Sequence, residues 1–111
     1  MAQLPINTFK TVTFEVTNST STVYTAPTGI TSIILYAHVT NVTTSATSYS
    51  MFHKRSDVST EIANIVIVPV NDVHIPLGGK LVLETGDEVT ISAGANSSLK
   101  LILSILETAN A

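Results

Sequence analysis

Hydrophobic and polar residues alternate with a period of two along most of this sequence. In residues 9–17, for example, Val12, Phe14 and Val16 alternate with Thr11 and Thr13. Successive side chains of a strand point to opposite faces, so this pattern predicts a strand with one buried face. Similar runs, separated by turn-forming residues, cover residues 23–24, 31–40, 48–54, 62–68, 73–75, 81–84, 89–92 and 99–106. No segment keeps a 3.6-residue period over three turns. The sequence predicts an all-β antiparallel sandwich, jelly-roll-like, with eight or nine short strands.

The chain is organised around residues 72–92, where two apolar strands flank the dipeptide Gly86-Asp87. A three-residue loop over residues 85–87 is the favoured interpretation, because it aligns the inward side chains Leu83 and Val89 on one face. The alternative is a corner that places the two strands in different sheets. In either case Gly86 is expected to have a positive φ, which few other residues tolerate.

Three strands are apolar on both faces, although a two-layer sandwich needs only one apolar face per strand. They cover residues 33–39, 62–68 and 99–106. The second is rich in β-branched residues and is predicted to be a buried central strand. A contiguous surplus of apolar surface usually marks an interface. The residues predicted to form it are Ile34, Tyr36, Ile65, Ile67, Ile102 and Leu106.

Length and charge limit the classes of protein that fit. The chain of 111 residues is expected to form one domain, with residues 1–8 a possible arm and 107–111 a short polar tail. Charged residues make up only 12%, and the formal net charge is -3, which argues against a nucleic-acid partner. No apolar run is long enough to span a bilayer and no signal peptide is recognisable, so no membrane association is expected.

The sequence contains no pattern typical of an active site or a cofactor site. It has no cysteine, which excludes disulfides and thiolate zinc sites. His38, His53 and His74 lie on separate predicted elements without metal-ligand spacing. The sequence also lacks a nucleophile elbow and a phosphate-binding glycine loop. We therefore expect no catalytic residues, no metal, no cofactor and no enzymatic activity.

Three stretches carry a resemblance to a known class of protein. They are residues 22–35, with a strand ending in a Pro-x-Gly turn; residues 73–91, with Gly-Gly and Gly-Asp turns; and residues 99–107, with an apolar last strand. Together they resemble small β-sandwich virion structural proteins of tailed bacteriophages, which lie on capsid, neck or tail surfaces. Residues 41–60 have no part in this resemblance.

The resemblance implies a structural, non-enzymatic virion protein assembled in the host cytoplasm. The expected role is that of a capsid decoration or cement protein, or of a neck or tail subunit. The expected partners are copies of itself, with a trimer favoured over a dimer, and other virion proteins such as major capsid or tail proteins. The alternative is a carbohydrate- or receptor-binding module that uses loops near Tyr49 or Asn96 on a virion or cell surface.

Overall fold

The computed structural model describes residues 7–96 and 98–109, and these residues form nine β-strands and no helix. The strands are β1 (Asn7–Glu15), β2 (Ser21–Thr25), β3 (Ile30–Asn41), β4 (Thr47–Arg55), β5 (Val58–Val68), β6 (Val73–His74), β7 (Leu81–Leu83), β8 (Glu88–Ala93) and β9 (Leu99–Ala109). The all-β fold predicted from the alternation of residues is confirmed, and each predicted strand has a counterpart in the structure.

The strands form two antiparallel sheets that enclose one apolar core. In sheet A the order is β1-β9-β3, and the short strands β6 and β7 both pair with the far side of β3. In sheet B the order is β2-β8-β4-β5. The chain passes repeatedly from one sheet to the other, so most pairings join segments that are distant in the sequence. This arrangement is an antiparallel β-sandwich.

Strand β9 is central in sheet A, because it pairs with β1 on one side and β3 on the other. Leu99, Leu101, Leu103 and Ile105 are buried, as the alternation predicted. The strand also continues through residues 107–109, which the sequence analysis assigned to a polar tail, and Glu107 is buried. Residues 1–6 of the predicted arm and 110–111 of the predicted tail lie outside the described residues.

The face assignment of β3 was wrong in its first half because the strand contains a β-bulge. The pairing of β3 with β9 shifts by one residue at Leu35, between Ile34 and Tyr36. An extra residue in one strand reverses the alternation beyond that point. Ile34 therefore points into the core and is fully buried, together with Ala37 and Val39 beyond the bulge. Ile34 does not lie on the outer surface where the sequence analysis placed it.

Strand β5 is an edge strand of sheet B rather than the buried central strand that its composition predicted. Its pairing with β4 is interrupted twice, on either side of Met51. Ala63 and Val68 face the core, whereas Ile65 and Ile67 are about two-thirds exposed, at 68% and 67%. Bulges in edge strands hinder unwanted pairing with another chain. The apolar residues on the outer side of β5 are therefore not evidence that this strand lies in the centre of the sheet.

The turn between β7 and β8 is a corner, so the favoured hairpin alignment of Leu83 with Val89 was wrong. Strand β7 pairs with β3 in sheet A, and β8 pairs with β2 and β4 in sheet B. The Asp87 N–H donates to the Glu84 carbonyl at 2.9 Å, which closes a four-residue turn. Gly86 occupies its third position with φ +88°, which a type II turn requires. The predicted positive φ of Gly86 is confirmed.

Replacing Gly86 by valine is expected to lower the free energy of unfolding by about 1 to 3 kcal/mol, because a β-branched residue is strained at positive φ. A Cβ at this position would meet nothing within 4 Å, so the backbone conformation is the only source of the effect. Gly79→Val is the matched control, since Gly79 is equally open and lacks a positive φ. Urea denaturation of both variants provides the measurement. Equal losses of stability in the two variants would contradict the argument.

Candidate functional site

The three histidines lie apart and each contacts a different polar partner. The Tyr36 hydroxyl is 2.6 Å from Nδ1 of His38, and the Tyr49 hydroxyl is 2.5 Å from Nδ1 of His74. Nε2 of His53 is 3.1 Å from a carboxylate oxygen of Asp87. Within residues 7–96 and 98–109, no three His, Asp or Glu side chains cluster as metal ligands would. Exposed apolar side chains on the outer faces of the sheets are the remaining candidates for a functional surface.

An apolar row crosses four strands on the outer face of sheet A. Phe9 on β1 lies opposite Leu106 on β9, Leu106 lies opposite Ile33 on β3, and Ile33 lies opposite Val82 on β7. Residues directly opposite each other in adjacent strands share a face, so these four side chains are neighbours. Phe9 is 73% exposed and Val82 is 53% exposed. We call these four residues the sheet A row.

Along β1, β9 and β3, the outer-face positions that follow the sheet A row carry no Asp, Glu, Lys or Arg until the last row. Next to the sheet A row lie Thr11, Ser104 and Tyr36, followed by Thr13, Ile102 and His38. At the far end Glu15 and Lys100 form an ion pair, with Nζ and Oε2 3.7 Å apart. This part of the outer face therefore consists of hydroxyls, an isoleucine, a histidine and a self-neutralised ion pair.

The structure brings together three of the six predicted interface residues. Tyr36, Ile102 and Leu106 lie on the outer face of sheet A, while Ile34 lies in the core. Ile65 and Ile67 are on β5, at the edge of the opposite sheet. We call this pair the β5 edge. The predicted residues thus divide between two surfaces on different sheets rather than forming one patch.

Sequence reasoning missed Phe9 and Val82, the two most exposed members of the sheet A row. Both are the outward members of correctly predicted alternating runs. Their adjacency depends on β1 and β7 lying in the same sheet, separated by β9 and β3. The alternation predicts which face of the sheet each side chain occupies, but not the order of the strands. The sequence therefore contains no signal that Phe9 and Val82 lie in one row.

The β5 edge contains a backbone feature that singles out Ile65. Its φ is +48°, an unusual value for a β-branched residue. The Ile65 N–H, which has no β4 backbone partner at this bulge, donates to Oγ of Ser50 at 2.9 Å. The neighbouring positions on the outer face of sheet B are small and polar, with Ser50 opposite Ser92 and Ser48 opposite Ile67. Ile65 and Ile67 therefore protrude beside a hydroxyl-rich face.

Two polar clusters tie the sheets together. Arg55, at the end of β4, donates from Nε to Asp87 Oδ1 at 2.8 Å and from Nη2 to Asp87 Oδ2 at 2.6 Å, and Nη2 also contacts Glu84 at 2.9 Å. The hydrogen bonds from Arg55 hold the pKa of Asp87 well below its ordinary value. The same hydrogen bonds raise the pKa of Arg55. This geometry fixes the corner between β7 and β8.

The second cluster surrounds the hydroxyl of Tyr24. This hydroxyl donates a hydrogen bond to Glu107 and lies 2.7 Å from Oγ of Ser32, and Nζ of Lys10 is 3.4 Å from Glu107. Burial, and then the hydrogen bond to Glu107, raise the pKa of Tyr24 to about 12. Burial alone raises the pKa of Tyr49 to about 12. Both tyrosines thus remain neutral and serve as cross-sheet hydrogen-bonding groups rather than as acids.

Comparison with known proteins identifies similar folds among solved structures. No protein-family model and no curated protein matches the sequence. Among solved structures, the chain is similar to a protein of Bacillus endospore appendages described as a family of disulfide-linked pili. The identity is 10% and the TM-score 0.55, over 96% of this chain and 88% of that one. At that identity the likeness shows the fold alone.

A second similar structure is a pentameric capsid protein isolated from metagenomic phage sequences. It is 17% identical with a TM-score of 0.47, over 90% of this chain. The chain spans 62% of that protein's length. Separately, the part of the chain that the structure describes contains no helix that could cross a membrane.

Proposed function

We propose that this protein is a non-enzymatic structural subunit that assembles with copies of itself through apolar strand faces. The observation that carries the proposal is the sheet A row, in which Phe9 and Val82 stay largely exposed beside Leu106 and Ile33. Soluble monomers seldom expose contiguous apolar surface without a partner for it. Only 12% of the residues are charged, which leaves little to keep such a surface soluble.

We further propose that the assembly belongs to a virion of a tailed bacteriophage, as a capsid decoration or cement protein or as a neck or tail subunit. The order of the strands in the two sheets supports this virion role by analogy with viral capsid domains. With β6 and β7 counted as one interrupted strand, each sheet has four strands in a jelly-roll-like order, which many viral capsid domains share. The fold of the pilus protein supports the broader part of the proposal, since it is used there in an assembled fibre.

The proposed partners are copies of the same chain, with a trimer favoured over a dimer, and other virion proteins such as major capsid or tail proteins. The proposed location is the virion, after assembly in the host cytoplasm. No cofactor, nucleic acid or membrane has a part in this function. The polar clusters around Asp87 and Tyr24 serve as internal supports of the sandwich.

The first test is the oligomeric state of the wild-type chain by analytical ultracentrifugation. The wild type is expected to sediment as an oligomer, and Phe9→Asp is expected to shift it strongly toward monomer. The reason is that contact with another copy would remove water from a carboxylate in the sheet A row and give it no hydrogen-bonding partner in return. Thr20→Asp is the matched control, because Thr20 is exposed in the loop before β2 and adds the same charge elsewhere. A wild-type monomer at all concentrations would refute self-assembly.

The second test addresses the virion role. Purified phage particles from a host that expresses the protein would be analysed by quantitative mass spectrometry. Many copies per particle, in a fixed ratio to the major capsid or tail protein, are the expected result. Absence from particles that are otherwise complete would contradict the virion role, while the self-assembly result would stand by itself.

The alternative function of carbohydrate binding near Tyr49 or Asn96 gains no support. Tyr49 is 1% exposed, so its ring is not available to stack on a sugar. Oδ1 of Asn96 accepts a hydrogen bond from the N–H of Asn18 at 2.7 Å and so braces a loop.

A further inference from the structure

We propose that the copies associate head to tail, with the sheet A row of one copy against the β5 edge of the next. This inference rests on the proposed function, because it assumes that the chain self-assembles. The two apolar surfaces lie on different sheets of the sandwich. A single two-fold contact joins the same surface of both partners and would leave the other surface exposed. A head-to-tail contact uses both surfaces of every copy and closes into a ring when the rotation allows it.

The area of the two surfaces favours this arrangement. The three long strands of sheet A, β1, β9 and β3, pair over about nine residues, and at about 4.8 Å spacing and roughly 3.4 Å per residue they give an outer face of roughly 440 Å². A stable pairwise contact buries about 800 Å² on each partner. One face alone therefore falls short of an independent dimer. A ring gives each copy two contacts, so the β5 edge adds to the area that each copy buries.

Charge also distinguishes the two arrangements. Lys80 lies two residues before Val82, and Glu61 lies on β5 opposite Phe52. Neither has an ion-pair partner within residues 7–96 and 98–109, whereas each of the other described cations does. A head-to-tail contact allows Lys80 of one copy to pair with Glu61 of the next, since Glu61 lies on β5 four residues before Ile65. A two-fold contact places like charges together, which is unfavourable.

The backbone of Ile65 supports a role for the β5 edge. A β-branched residue at φ +48° is strained, and an observed strain of this kind is a reason to look for a function. Here the bulge holds an isoleucine side chain 68% exposed beside Ile67. Asparagine tolerates this backbone region better than isoleucine does. Ile65→Asn is therefore expected to raise the unfolding temperature of the monomer while it weakens assembly.

The decisive experiment mixes two variants, each with one surface disabled. Phe9→Asp disables the sheet A row, and Ile67→Asp disables the β5 edge. Both side chains are at least two-thirds exposed, so the fold should persist, and circular dichroism and thermal unfolding would check it. A head-to-tail contact predicts that each variant alone is a monomer. It also predicts that a one-to-one mixture forms a heterodimer, because one intact row then meets one intact edge.

Sedimentation equilibrium up to millimolar concentration would measure these species, since a single contact is weak. If the wild type assembles but either variant alone still forms a homodimer, the contacts are two-fold and the inference is overturned. It is equally overturned if the mixture remains monomeric, or if Ile65→Asn assembles as the wild type does. A wild-type monomer would instead refute the proposed function, so the two failures are distinguishable.

A charge exchange provides an independent readout. Lys80→Glu and Glu61→Lys are each expected to weaken assembly several-fold, and the double variant is expected to recover it, because every head-to-tail contact then carries the reversed pair. A two-fold contact predicts no such recovery. Lys54→Glu is the control, since Lys54 already faces Asp57 within its own chain at 3.9 Å. Loss without recovery in the double variant would count against the proposed contact.

Discussion

Replacing Asn41 by alanine is expected to lower the free energy of unfolding by about 2 to 4 kcal/mol. The Asn41 side chain is 1% exposed and all its hydrogen-bonding groups are used. Nδ2 donates to the Ser45 carbonyl at 2.9 Å and to the Val68 carbonyl at 3.0 Å. Oδ1 accepts from the N–H of Thr43 at 2.9 Å and from its hydroxyl at 2.8 Å. Alanine would remove all four hydrogen bonds, including the buried one to the Val68 carbonyl, which anchors this loop to β5.

Asn41→Asp provides a sharper form of this test because it preserves the shape of the side chain. An ionised carboxylate has no donor for the two carbonyl oxygens, so it would face them across a short distance in a buried site. Asp is therefore expected to destabilise the protein at least as much as alanine at neutral pH. Asn64→Ala is the control, since Asn64 is exposed on β5. Urea denaturation would measure all three variants. Stability within about 0.5 kcal/mol of the wild type would refute the role of Asn41.

The strand positions could be predicted from the sequence because alternation is a local property. The two-sheet fold followed from the same signal, together with turn residues at regular intervals. Gly86 could be assigned a positive φ because the chemistry of a turn is also local. The choice between hairpin and corner could not be made, since it depends on which distant strands pair with β7 and β8.

Ile34 and Ile65 show why the candidate surface was only partly predictable. A one-residue bulge at Leu35 moves Ile34 into the core, and bulges are not visible in a run of apolar residues. Residues 62–68 of β5 were interpreted as apolar on both faces, which is typical of a central strand, yet the structure places β5 at an edge with Ile65 and Ile67 outward. The composition signalled surplus hydrophobicity correctly. The exposed apolar residues divide between two surfaces because of the order of the strands in each sheet, which only the three-dimensional structure shows.

Acidification is expected to destabilise the protein through Asp87, the carboxylate that holds the corner between β7 and β8. Its side chain is 2% exposed and its pKa is lowered, mainly by the hydrogen bonds from Arg55. A group with a depressed pKa in the folded state stabilises that state above its unfolded pKa, which is about 3.9 for Asp. As the pH falls below that value, the unfolded chain binds a proton that the folded chain does not. The free energy of unfolding therefore decreases.

The expected slope from Asp87 is at most about 1.4 kcal/mol per pH unit below pH 4, which is the value for one proton. The half-exposed side chain of Arg55 allows solvent to screen the pair, so the measured slope should be smaller. Glu84, His53 and the backbone N–H of Glu84 complete the surroundings of Asp87 and Arg55. The contributions of these neighbouring groups to the pH dependence must be measured in a control variant that keeps Asp87.

Asp87→Asn separates the contribution of this carboxylate from the rest. The variant is expected to be less stable than the wild type at pH 7, because Arg55 loses its bidentate carboxylate partner. Its stability should also change less between pH 4 and pH 2 than that of the wild type. Glu84→Gln is the control, because Glu84 contacts the same Arg55 with a side chain that is 70% exposed, and it should keep the wild-type slope. Urea denaturation across this pH range provides the measurement. A slope that Asp87→Asn leaves unchanged would show that other carboxylates dominate the acid response.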